Sequence, residues 1–223
     1  MSAVKGKGPL RGLTAALRES PALWWSFLYF FCLLSGYYVL RPVREAMAAS
    51  ADLETVFPPM LIAWFASHGI ALKDFVLQFL FSCVFVIMLV LQPVYGWLVS
   101  RFPRRVFLPA VYGFFIVTLL GFYVLFDSGV PGRGMAFFFW ITVFNLFAVA
   151  VFWSFMADVF SNAQARAFYG YIGAAGTIGA FLGPIITGAL VQRVGIANLM
   201  LVSAGFLAIC LLSIRRLRHW AVL

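Results

Sequence analysis

Six stretches of this chain run for 20 residues or more without a single charge: 21–40, 75–100, 106–126, 134–157, 167–192 and 194–214. A helix rises 1.5 Å per residue, so about 20 apolar residues cover a hydrocarbon core of roughly 30 Å. The runs are continuous rather than alternating, which excludes the period-two strands of a membrane barrel. A water-exposed surface cannot be covered either: only 10% of residues are charged and 64% are hydrophobic, whereas soluble domains carry about 25% charged residues. The sequence therefore predicts an all-α integral membrane protein with six transmembrane helices. A seventh apolar piece, 55–72, is short, opens on Pro58-Pro59 and carries His68 and Gly69. It reads as an external surface or re-entrant helix.

Basic residues orient the spans. With six spans and the N-terminus inside, eleven Lys and Arg face the cytoplasm: Lys5, Lys7, Arg11, Arg18, Arg101, Arg104, Arg105, Arg166, Arg215, Arg216 and Arg218. Five lie outside: Arg41, Arg44, Lys73, Arg133 and Arg193. A seventh span would reverse the balance. The positive-inside rule thus favours six spans with both termini cytoplasmic: an arm over 1–20, a bundle over 21–214 and a basic tail over 215–223. The net charge of +9 belongs to these flanks, and no nucleic-acid partner is expected. Ala46-Met47-Ala48 has the small-x-small form of a signal-peptide cleavage site. The run before it is too long for a signal, so the first span is retained. Cys32, Cys83 and Cys210 sit inside apolar runs without metal or disulfide spacing, and no metal or cofactor is expected. No G-x-S-G, no H-E-x-x-H and no pair of Asp within the spans marks an intramembrane enzyme.

Four features stand out in the spans. The end of the first holds Tyr37, Arg41, Arg44 and Glu45, which share a face if the helix continues past Pro42. Two guanidiniums beside a phenol suit a phosphate or carboxylate; equally, Arg41 and Glu45 make an i,i+4 pair at an interface. The fourth run carries Asn145, a polar group that should face protein, and Trp153. Asp158 follows, within reach of Arg166 or Arg101. The fifth run holds a small-residue stripe, with Gly176, Ala180, Gly183 and Thr187 on one face and a Gly179-x-x-x-Gly183 pair, followed by Pro184. Such stripes allow close packing or sliding, and the proline should kink the helix. Finally, the loop after the second run reads Gly96-Trp97-Leu98-Val99-Ser100-Arg101-Phe102-Pro103-Arg104-Arg105. A glycine there lets another helix approach, and the basic cluster can anchor topology or meet acidic groups and lipid headgroups.

That loop resembles the major facilitator superfamily signature Gly-x-Leu-x-Asp-x-x-Gly-Arg-Arg. Gly96, Leu98, Arg104 and Arg105 match; Ser100 replaces the Asp and Pro103 the second Gly. The resemblance implies one half of a twelve-helix transporter, with this loop at the inner gate and a second six-helix half, from another copy or another chain, as partner. The missing Asp removes one member of the gate's charge network. Gly179-x-x-x-Gly183-Pro184 is similar to the fifth-helix motif of exchangers in that superfamily, which implies antiport with the helix turned toward the other half. Residues 36–47, 93–105 and 152–190 together resemble its bacterial nucleotide-exchange (ATP/ADP-translocase-like) branch, which implies an inner-membrane location and a nucleotide or small organic anion as substrate. A non-transporting subunit, or a piece of a longer transporter, remains the alternative.

Overall fold

The computed structural model describes residues 20–221, apart from the side chains of Arg104 and Arg105. The expected arm therefore lies outside the described residues except for Ser20, as do the last two residues of the tail. The described chain is helical: α1 (Pro21–Ala48), α2 (Leu53–Val56), α3 (Pro59–Ser67), a 3-10 turn at Leu72–Asp74, α4 (Val76–Arg101), α5 (Arg104–Asp127), α6 (Arg133–Val159) and α7 (Asn162–Leu217). Five of these are long and apolar enough to cross a membrane. The last has 56 residues and leaves helical geometry at Gly195, where φ is 78° and ψ is 167°.

The helices outrun the charge-free runs because a charged side chain does not stop backbone hydrogen bonding. Local signals set the true ends. Ser20 caps α1 by accepting from the Leu23 N–H, with Pro21 in the first turn. Ser161 and Gln164 form a capping box that opens α7, so helix begins ahead of Arg166. The helix does continue past Pro42, to Ala48. The backbone keeps helical angles through Pro184, and the departure from them comes eleven residues later at the glycine. Gly195 alone of these two tolerates positive φ without a Cβ penalty.

Helix α1 is the centre of the bundle, held on three sides. Residues 162–194 run parallel to it: a Cβ on Gly179 would stand 2.6 Å from the Phe31 carbonyl oxygen, and Thr187 Oγ1 donates to the Val39 carbonyl at 2.6 Å. Residues 196–217 run antiparallel. Ser203 Oγ donates to the Gly36 carbonyl at 2.9 Å, Cys210 Sγ reaches the Tyr29 carbonyl at 3.6 Å, and the Arg216 guanidinium lies 5.8 Å from the Trp25 ring centre. Helix α6 supplies Phe152, stacked on Phe30 at 4.4 Å. Helix α5 packs against α7 and α6; on the α6 side Tyr112 Oη donates to the Ala148 carbonyl at 3.1 Å and Trp140 Nε1 to Thr118 at 2.9 Å. Helix α4 is peripheral, and only Leu80 on it is buried.

The segment between α1 and α4 folds over the upper end of the bundle, where α1 finishes. Helix α3 has nine residues, about 14 Å of rise, too short to cross. Phe65 with Val56, Phe57 and Leu72 forms a small second core against Leu80 and Phe138. The Gly132 N–H donates to the Glu54 carbonyl at 2.8 Å, and Gly132 (φ 80°) lies flat against Pro58. Asp52 caps α2; the Thr55 hydroxyl and then the Glu54 N–H hold its carboxyl below the usual range.

Candidate functional site

The chemistry-bearing side chains of α1 gather at its upper end. Arg44 lies 23 residues past Pro21, about 35 Å along the helix, just beyond one hydrocarbon thickness. It is buried, with 8% exposure. Its Nη2 pairs with Glu45 Oε1, and its Nη1 donates to Thr142 Oγ1 of α6 at 3.4 Å. The guanidinium stands 5.1 Å from the centre of the Phe138 ring. Its Nε is buried with no hydrogen-bond partner. Arg41, one turn earlier, is half-exposed: its Nε is 3.8 Å from the same Glu45 oxygen, and its guanidinium is 5.5 Å from the Tyr38 ring centre. Tyr37 is buried beside them, edge-on to Tyr38 at 5.0 Å.

This is an unequal arrangement. Two cations share one carboxylate, so the cluster keeps a net positive charge. A buried guanidinium needs a counter-ion and hydrogen bonds to offset its desolvation. Glu45 supplies the first, but one buried donor is left over. The cluster can accept an anion bearing several oxygens, with Thr142 as a further polar contact.

The other expected residues are distributed. Asn145 is half-buried on α6, three residues past Thr142, on the same side of that helix. Trp153 is eleven residues beyond Thr142, about 16 Å lower. It packs edge-on against Phe30 at 5.3 Å and Tyr169 at 5.2 Å, so it belongs to the lower core and not to the arginine cluster. Gly176, Gly179 and Gly183 are buried against α1. The stripe that was expected to face a second half is used inside the chain, because close approach to α1 takes up the Cβ-free space at Gly176, Gly179 and Gly183. Pro184 is exposed beside it. Gly96 is exposed with nothing within 4 Å of a built Cβ, so no helix among the described residues approaches there. Arg101 is exposed at the end of α4, and Arg104 and Arg105 open α5 with side chains outside the described residues. Asp158 is half-buried in the last turn of α6, within electrostatic reach of Tyr169.

Thr142 and Phe138 went unforeseen. Both lie about 100 positions from Arg44, and the one available signal was a hydroxyl three residues before Asn145 in an apolar run.

Comparison with curated proteins and with solved structures finds no match. A family profile described as Major Facilitator Superfamily matches residues 46–220. It takes in every long helix after α1 and starts one residue past Glu45, so the arginine cluster rests on geometry alone. With more than three quarters of its length matched and helices of membrane-crossing length and composition, this chain belongs to the major facilitator superfamily of multi-pass membrane transporters.

Proposed function

We propose that the chain acts as the solute-binding half of a secondary transporter that moves a nucleotide or another small organic anion by alternating access, with exchange as its mode. The observation that carries this reading is Arg44: nine-tenths buried, paired with a carboxylate of its own helix and still left with an unpartnered donor. Glu45 stands in for an anion when the site is empty, and an incoming phosphate or carboxylate displaces it. Arg41, more exposed, meets the anion first. Thr142, and Asn145 one turn below it, bring α6 into the same site, so that solute bridges the first and fourth crossings. Exchange is favoured over proton symport because the acidic residues of the long helices, Glu45, Asp127 and Asp158, all stand in or next to a last turn and none lies midway.

The break at Gly195 supports counting α7 as two crossings, and hence six in all. The basic residues then support an inner-membrane orientation with both ends cytoplasmic and the arginine cluster outside. The partner is a second six-helix half, from another copy or another chain. The exposed faces of α4 (Phe85, Leu89) and α7 (Ile178, Phe181) are apolar surface that such a half, or lipid, would cover.

The test is counterflow of labelled adenine nucleotides, phosphate and dicarboxylates in vesicles reconstituted with the full chain. Arg44→Gln should cut exchange roughly 10- to 100-fold, the worth of one or two charge-assisted hydrogen bonds. Arg41→Gln should mainly raise KM. Wild-type rates in Arg44→Gln would sink the site assignment. Anion-dependent thermal stabilisation with no solute movement would instead favour a non-transporting subunit.

A further inference from the structure

Helix α3 is apolar on both of its sides. Its inner side, with Leu61, Ile62 and Phe65, packs into the small second core. Its outer side presents Met60, Ala63, Trp64 and Ala66, and Met60 is 84% and Trp64 53% exposed. A helix apolar all round is normally a buried one, yet α3 buries one side only. No Asp, Glu, Lys or Arg occurs between Glu54 and Lys73. The charges of the covering segment are kept apart from it, over the start of α6. There Arg133 Nη2 donates to Thr55 Oγ1 at 3.4 Å, and the Gly132 N–H to the Glu54 carbonyl. The segment is thus divided into a charged part beside α6 and an uncharged part beside α4.

Packing sets the height of the uncharged part. The Phe65 ring meets Phe75 at 5.6 Å and Phe79 at 5.4 Å, both edge-on, so α3 is level with the first turn of α4. Arg101 closes α4 about 37 Å below Val76. A hydrocarbon core with its two headgroup layers measures about 40–45 Å. With Arg101 in the lower headgroup layer, α3 stands in the upper one. Phe79 points about a quarter to a third of a turn around α4 away from Leu89 and Phe85, the face left open to a second half. The end of α3 suits such a place. Ser67 Oγ donates to the Trp64 carbonyl at 2.7 Å, and His68 Nδ1 stands 2.8 Å from the same oxygen, so a last-turn carbonyl is satisfied without water. Tryptophan itself favours this layer.

We propose that α3 is an in-plane membrane anchor, with its Met60–Trp64 edge seated in the bilayer interface beside the bundle. The partner of that face is lipid, at the boundary between headgroups and acyl chains, where apolar helix faces sink about 5–10 Å. The connection between α1 and α4 is thereby tied to the bilayer at its middle. This inference rests on the chain being a membrane protein and is independent of the arginine cluster on α1.

The experiment uses the full chain in phosphatidylcholine nanodiscs. Trp64 is one of seven tryptophans, and its emission is the part that Trp64→Phe removes. Bromine near the headgroup end of the acyl chains should quench that part at least about twofold more than bromine near the chain ends. An impermeant thiol reagent should modify Met60→Cys roughly tenfold more slowly than Ala51→Cys, an exposed position in the charged part of the segment. Met60→Asp should lift the edge out and open Trp64 to iodide quenching, with helix content unchanged. Equal thiol rates would put the edge in water. Strongest quenching by the deep bromine would make α3 re-entrant. A Trp64 emission reached by neither bromine nor iodide would mean that protein covers it. Each of these three results overturns the proposal.

Discussion

Arg44 and Gly179 show how differently two residues of one helix pair can be constrained. Arg44 is held by what it binds, Gly179 by what it lacks. The Cβ of Gly179→Ala would meet backbone at 2.6 Å, which no rotamer change relieves. We expect this substitution to lower stability by about 1–3 kcal/mol through overpacking, read as a fall in the thermal midpoint in detergent. Gly173→Ala in the same helix has open space around it and should be neutral or slightly stabilising. Equal midpoints for the two variants would remove the packing role of the stripe. At this scale the sequence was partly legible. Tyr37, Arg41, Arg44 and Glu45 could be gathered because helical periodicity relates neighbours on one helix. Thr142 could not, since its place beside Arg44 is set by the register of α6 on α1. Trp153 was grouped with the site for the opposite reason: residue type marked it, while its depth along the helix went unweighed.

At the scale of elements, two glycines govern how helices are joined. Gly195 adopts φ and ψ reserved for glycine. Gly195→Ala should therefore cost about 1–3 kcal/mol, whereas Gly205→Ala, in open space on the same element, should change the unfolding midpoint little. Gly132 combines positive φ with a Pro58 backbone contact at 2.9 Å from a built Cβ. Gly132→Ala should loosen the segment over the upper end, and limited trypsin digestion should then cut after Lys73 sooner than in the wild type, with the long helices intact. Unchanged cleavage would show that the small core around Phe57 and Phe65 holds the segment by itself. The long elements were legible because apolar runs of this length have few other physical uses. Their ends were not, because caps such as Ser161 with Gln164 act through geometry that a charge count ignores. The break at Gly195 lies two residues past Arg193, where the sequence places its turn.

At the scale of the molecule, sidedness is the open physical quantity. In sealed vesicles of native orientation, an impermeant thiol reagent should label Met60→Cys and Arg193→Cys from outside, and Ser100→Cys only after permeabilisation. Labelling of Arg193→Cys and Ser100→Cys from the same side would undo the reading of α7 as two crossings. The central place of α1 also has a bearing on how the protein is made. Ser203 follows Gly36 by 167 positions and Cys210 follows Tyr29 by 181. At about 5–20 residues per second, the first helix leaves the ribosome roughly ten to thirty-five seconds before its antiparallel neighbour exists. Throughout that interval the Gly36 and Val39 carbonyls lack the second donors that Ser203 and Thr187 later bring, and Arg44 waits for Thr142 of α6. A nascent chain paused after Val159 would hold α1 in the membrane with α6 beside it and the face that α7 later covers still open to lipid.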